Sequence, residues 1–136
     1  MKVVINACFG GFSVSKEAAE FMAKRGHKEA KKLLAEYADT LKRFDSYANG
    51  KPSKKNDWEY RMFDIKIKYG TRPKFHGFLD CPRHDPDLVA AVESLGKAAE
   101  GECAFLKVVE VPDGIDYEIS EYDGNEHIAE KHRTWG

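Results

Sequence analysis

The stretch that most constrains the fold is the opening MKVVINACFGGFSVS. Lys2 to Cys8 is a short apolar run rich in β-branched side chains, and Phe9-Gly10-Gly11-Phe12-Ser13 breaks it just before a helical pattern begins at Ser15. That order reads as a strand, a glycine elbow and a helix N-terminus. Adjacent glycines admit positive φ and let a ligand approach bare backbone, and the first turn of a helix presents unpaired N–H groups that favour an anion. Two uses of the elbow follow: a phosphate or carboxylate held at Gly10, Gly11 and Ser13, or a bend that merely folds Phe9 and Phe12 back onto the core.

Downstream, Ser15 is placed as an N-cap with Glu17 in the first turn, and a first helix is expected from Lys16 to Arg25 with Gly26 closing it. From His27 to Phe44, Ala30, Leu33, Leu34, Tyr37, Ala38, Leu41 and Phe44 recur at helical spacing and define a second helix. Residues 45 to 57 (DSYANGKPSKKND) are rich in turn formers and lysine, so a flexible basic loop is expected there, with Lys51, Lys54 and Lys55 available to cover an anionic ligand. Arg61 to Tyr69 alternates apolar and polar residues and reads as a half-buried strand. Gly70 to Pro82 reads as a loop. Asp85-Pro86-Asp87 is a strong start for a third helix reaching about Ala99.

After it, Ala104 to Val111 and Ile115 to Tyr122 predict a hairpin about Pro112-Asp113-Gly114, and Asp123-Gly124 offers a further tight turn. Residues 125 to 133 are then a third antiparallel strand or a short terminal helix. The expectation is one α+β domain over residues 1 to 136: an N-terminal strand and three helices packed on a mostly antiparallel sheet that ends in a C-terminal β-meander.

With 136 residues, 42% of them hydrophobic, the chain can bury one sizeable core. No apolar run approaches the about 20 residues that span a bilayer, and no secretory leader is visible, so a soluble intracellular protein without a membrane partner is expected. Cys8, Cys81 and Cys103 are odd in number and far apart, which suits free thiols in a reducing compartment. The net charge of −1 argues against a nucleic-acid polymer as partner. The charges are unevenly placed: residues 23 to 76 carry fifteen cationic and seven anionic side chains, residues 77 to 136 five and fourteen. Such segments pair within one fold, or pair between copies and favour a homo-oligomer.

Catalytic equipment is sparse. Cys81-Pro82-Arg83-His84 has the gap of half a zinc site without a second half, and no cofactor motif follows the glycines. A thiol enzyme would need Cys8 beside His132 and Glu130, yet Cys8 lies in an apolar run where burial makes a thiol inert. The tail Lys131, His132, Arg133, Thr134, Trp135 is more suggestive, since a guanidinium grips phosphate and an indole stacks on a base. The expected site therefore joins Phe9, Gly10, Gly11, Phe12 and Ser13 to Lys131, His132, Arg133 and Trp135 around a small nucleotide-like anion. No metal, cofactor or catalytic residue is assigned.

The segments VVINACFGGFSVS, DPDLVAAVESLGKAAEGECAFLKVVEVPD and YEISEYDGNEHIAEKHRTW resemble a family of small uncharacterised proteins of tailed bacteriophages. The likeness covers the first fifteen and last fifty residues, about half the chain, and brings no catalytic assignment. It implies a phage-encoded accessory protein acting in the host cytoplasm. Phages carry small non-enzymatic proteins that sequester the cyclic nucleotide signals of host immunity, commonly as oligomers. The alternatives are an inhibitor that docks on a host enzyme through the basic middle of the chain, or a small thiol-dependent enzyme.

Overall fold

The first strand, β1 (Lys2–Asn6), is covered on both faces, and this explains why its sequence is an apolar run and not an alternation. In the computed structural model, which describes residues 1–50 and 57–130, Val4 points into a helical core with Met22, Leu88 and Val92. Val3 and Ile5 point the other way, against Val111 and the apolar side chains Ile119 and Ile128. Its antiparallel partner is β2 (Leu106–Glu110), with Lys2 opposite Glu110 and Asn6 opposite Leu106.

The helical side forms as the cap signals dictate. Ser15 Oγ accepts a hydrogen bond from Ala18 N at 3.1 Å to start α1 (Lys16–Lys24), whose Ala18, Ala19 and Met22 are buried, and Gly26 turns the chain at φ +95°. His27 caps α2 (Lys28–Ala48) through Nδ1, which accepts from Ala30 N at 3.2 Å. After α3 (Asp57–Lys68), Asp85 caps α4 (Pro86–Leu95) by accepting from Asp87 N and Leu88 N, and a 3-10 turn (Gly96–Ala99) leads to β2. The chain ends in a second pair, β3 (Tyr117–Tyr122) and β4 (Asn125–Glu130), joined by Asp123 and Gly124 at φ +50° and +88°. Two consecutive left-handed residues are what a tight hairpin turn requires.

The fold is thus α+β, with four α-helices and two small antiparallel sheets among the described residues, the second sheet being the C-terminal strand pair. Three local expectations are corrected. Arg61 to Tyr69 is not a strand, because Phe63 packs edge-to-face on Phe44 at 5.3 Å and Tyr60 stacks on Tyr47 at 4.6 Å, a three-residue spacing that only a helix brings to one side. Residues 45–48 finish α2, so the expected loop is shorter, and Lys51, Lys54 and Lys55 lie outside the described residues. β2 makes no hairpin with β3: it returns to β1, and the β3–β4 turn is the tight one. Residues 125–130 are strand, and 131–133 lie outside the described residues. No described helix is long and apolar enough to cross a membrane.

Candidate functional site

The elbow is built around Asn6, a fully buried side chain at the end of β1. Its Nδ2 donates to Cys8 O and Gly124 O, both at 2.8 Å, and its Oδ1 accepts from Phe105 N at 2.9 Å. Its backbone N–H donates to Glu126 Oε1 at 2.7 Å. Glu126 is itself buried and takes both Nη atoms of Arg83, at 2.5 and 2.9 Å, while the guanidinium lies 3.6 Å from the Phe12 ring centroid. The Asn6 carboxamide and N–H and both Glu126 carboxylate oxygens all have partners, the condition under which a buried polar network rigidifies a fold.

The close approach that the glycines permit is used by the protein's own backbone. Gly10 (φ +149°) sits so near Cys103 that a Cβ there would lie 2.6 Å from its carbonyl oxygen. Gly124, in the hairpin turn, is seated on the elbow: its Cβ would lie 2.3 Å from Gly11 N and 2.8 Å from Gly10 N. Ser13 is buried with its hydroxyl packed under Gly101, and its carbonyl accepts from Gly101 N at 3.1 Å. Phe12 packs against the core, whereas Phe9 is 58% exposed and meets Tyr122 edge-to-face at 6.4 Å. The adjoining hollow, about 270 Å³, is lined by three carboxylates, Asp80, Glu121 and Glu126, against the single guanidinium of Arg83, which Glu126 already holds. Anions are repelled by such a lining. Lys131, His132, Arg133 and Trp135 lie outside the described residues.

A larger groove of about 510 Å³ opens between α2, α3 and residues 73–76. Leu33, Tyr37 and Thr40 face it from one side of α2, and Trp58, Met62, Phe63 and Lys66 from α3. Tyr37 fixes the third wall: its hydroxyl donates to Pro73 O at 3.0 Å and its ring meets Phe75 edge-to-face at 5.4 Å. Arg43 of α2 joins the helices by an ion pair with Glu59 of α3 at 2.8 Å and is held within its own helix by Asp39. Three cations, Arg43, Lys66 and Lys74, stand against two carboxylates, Glu36 and Glu59, and His76 is exposed beside them. Arg43 is held by Glu59 and Asp39 and Lys74 pairs with Glu102 at 3.6 Å, so Lys66 is the one of the three without an acidic partner among the described residues. Aromatic faces and a cationic excess in a space of this size fit a small ligand with a planar ring and an acidic group. None of these residues was singled out from the sequence as a ligand site. The i, i+4 pair Trp58 and Met62 was the available signal, hidden because the expected strand, Arg61 to Tyr69, took in Met62.

One cluster has the composition of a reactive centre. His27, Cys81 and Asp85 bring a ring nitrogen, a sulfur and a carboxylate oxygen within 4.8 Å of one another. Burial first, and then the Asp85 carboxylate, push the Cys81 thiol up to about 11. Because His27 Nδ1 accepts the Ala30 N–H, the neutral ring carries its proton on Nε2, which lies 3.4 Å from Asp85 Oδ2. Neither nitrogen is left to take the Cys81 proton. A metal on Nε2 would need the ring proton on Nδ1, facing the Ala30 N–H. The trio is therefore a clip between two helix starts, reinforced by Arg25 and Asp87 at 2.8 Å. His84, three residues from Cys81 in the half-site spacing noted in the sequence, is engaged through Nδ1 with Tyr117 Oη at 2.8 Å. No family model, curated protein or solved structure matches this chain.

Proposed function

We propose that the chain is a non-catalytic binding protein that captures a small nucleotide-like anion, with the ligand seated in the groove between α2 and α3. The observation that carries this reading is the coincidence, in about 510 Å³, of the Trp58, Tyr37 and Phe75 rings with Lys66, Lys74 and Arg43. Stacking on an aromatic side chain contributes about 1–3 kcal/mol per base, so the rings supply most of the affinity and Lys66 orients the acidic group. Capture without turnover is supported by the locked state of the His27 clip, whose ring nitrogens are both committed. The likeness of the chain's ends to tailed-phage proteins supports a setting: an accessory protein in the host cytoplasm that withdraws a nucleotide signal from circulation.

The test is a titration of cyclic dinucleotides, cyclic trinucleotides and ADP-ribose derivatives against Trp58 fluorescence in a Trp135→Phe background, where Trp58 is the remaining indole. A bound member of the panel quenches Trp58, raises the melting temperature and is recovered intact on heating. Altered product on release refutes the non-catalytic reading. A panel without one quenching member refutes the nucleotide-like ligand.

A further inference from the structure

We propose that the groove between α2 and α3 selects guanine, the Glu36 carboxylate reading the edge of the base while Lys66 holds the phosphate next to it. This selection rests on the capture of a nucleotide-like anion proposed above, and it names the base that the ligand carries. Most polar groups of the groove are already spent. Arg43 has all three nitrogens engaged, with Glu59, Asp39 and Thr40. The Thr40 hydroxyl donates to Glu36 O at 2.9 Å, the Tyr37 hydroxyl donates to Pro73 O, and Lys74 pairs with Glu102. Glu59 is held by Arg43 and is only 17% exposed. One cation and one carboxylate of the lining have no partner among the described residues: Lys66 on α3 and Glu36 on α2.

The two open groups stand on facing walls. Glu36 lies one turn from both Leu33 and Thr40 on the groove side of α2, and Lys66 lies one turn beyond Met62 on α3. A ligand is therefore polarised across the groove, with its hydrogen-bond donors toward α2 and its negative charge toward α3. An ionised carboxylate only accepts, through two oxygens side by side. Among the common bases, guanine alone presents two neighbouring donors, N1–H and N2–H, on its pairing edge. Adenine and cytosine present one donor beside an acceptor, and uracil presents one donor between two acceptors. Guanine thus meets the carboxylate with two parallel bonds, whereas adenine would set its N1 lone pair against a carboxylate oxygen. His76, the other exposed polar ring of the lining, can donate to either purine and does not discriminate. With one open cation beside an open carboxylate, the groove neutralises a single phosphate, and the remainder of a larger ligand extends into solvent.

The test compares cyclic di-GMP with cyclic di-AMP, which share one sugar–phosphate ring and differ only in the base, by Trp58 quenching in the full chain carrying Trp135→Phe. The guanine ligand binds about tenfold more tightly or better, the discrimination of one good bidentate contact. Glu36→Gln, whose amide both donates and accepts, loses that ratio or inverts it. Lys66→Gln weakens both ligands by the same factor, makes their binding less dependent on salt and leaves the ratio in place, because a phosphate contact carries no base information. Neither side chain has a partner in the fold, and a ratio of two affinities is unmoved by a partial loss of folded protein. Equal affinities in the unsubstituted groove, or a preference for the adenine ligand, overturn the guanine assignment while nucleotide capture stands. So does a ratio that survives Glu36→Gln, which would place the reading of the base elsewhere. Silence from both ligands overturns it as well, and the cyclic trinucleotides and ADP-ribose derivatives then decide nucleotide capture separately.

Discussion

At the elbow, Asn6 is wholly buried and its carboxamide and backbone N–H all have partners, and the nearest cation is held by two hydrogen bonds to Glu126. At the α3 end, the buried Tyr60 hydroxyl has no partner among the described residues, and Trp58, Met62 and Ile65 stand in water. The two regions are of similar chemical richness and opposite economy. One closes polar groups against each other and leaves an acidic dimple. The other leaves its rings and Lys66 open around a groove. A site rich in chemistry is not by that fact a binding site: what matters is whether its donors and acceptors are already committed.

The sharpest way to break this comparison is at Glu126. Glu126→Ala leaves Arg83 and the Asn6 N–H without their acceptor, and the expected loss is about 3–5 kcal/mol in urea unfolding. A loss under about 1 kcal/mol would mean the elbow is not a closed joint. Next, Gly124→Ala must push the hairpin turn off the Gly10 and Gly11 amides at a positive φ, for about 1–3 kcal/mol. The opposite signature belongs to the groove: Trp58→Ala changes stability by no more than about 0.5 kcal/mol. The same change weakens ligand binding about tenfold, or ~1.4 kcal/mol, in the fluorescence-independent thermal shift.

The smallest effect is a pH dependence at Cys81. Its thiol is raised from 9.0 to about 11 in the folded protein, so between those values the unfolded chain releases a proton that the folded chain keeps. Stability contributed by the protonated thiol is complete below about pH 9 and is lost as pH climbs toward about 11. Melting curves of wild type and Cys81→Ser should diverge across that window and run parallel below it. Parallel curves throughout would show that the clip leaves the thiol unperturbed.

What the sequence revealed divides along the same line. The caps at Ser15 and Asp85 and the long period of α2 were legible because each depends on residues within one or two turns. α3 was misread because its exposed apolar residues spoil the amphipathic pattern: Ile65, Ile67 and Tyr69 imitate an alternating strand while Phe63 is the fully buried contact. Residues that a single copy leaves in water do not obey the rule that apolar means inside. The glycine elbow was located correctly, but its close partner, Gly124, is more than a hundred residues away and no local pattern announces it. The same distance hid the pairing of β2, whose own residues say strand without saying beside which one.

The register that sets Lys2 against Glu110 has a consequence for synthesis. β1 is translated before the four described helices and its neighbour β2 only after them, so the ribbon must wait for its partner while some hundred residues are made. Until then its valines and isoleucine stay uncovered, and the nascent chain is vulnerable to sticking there.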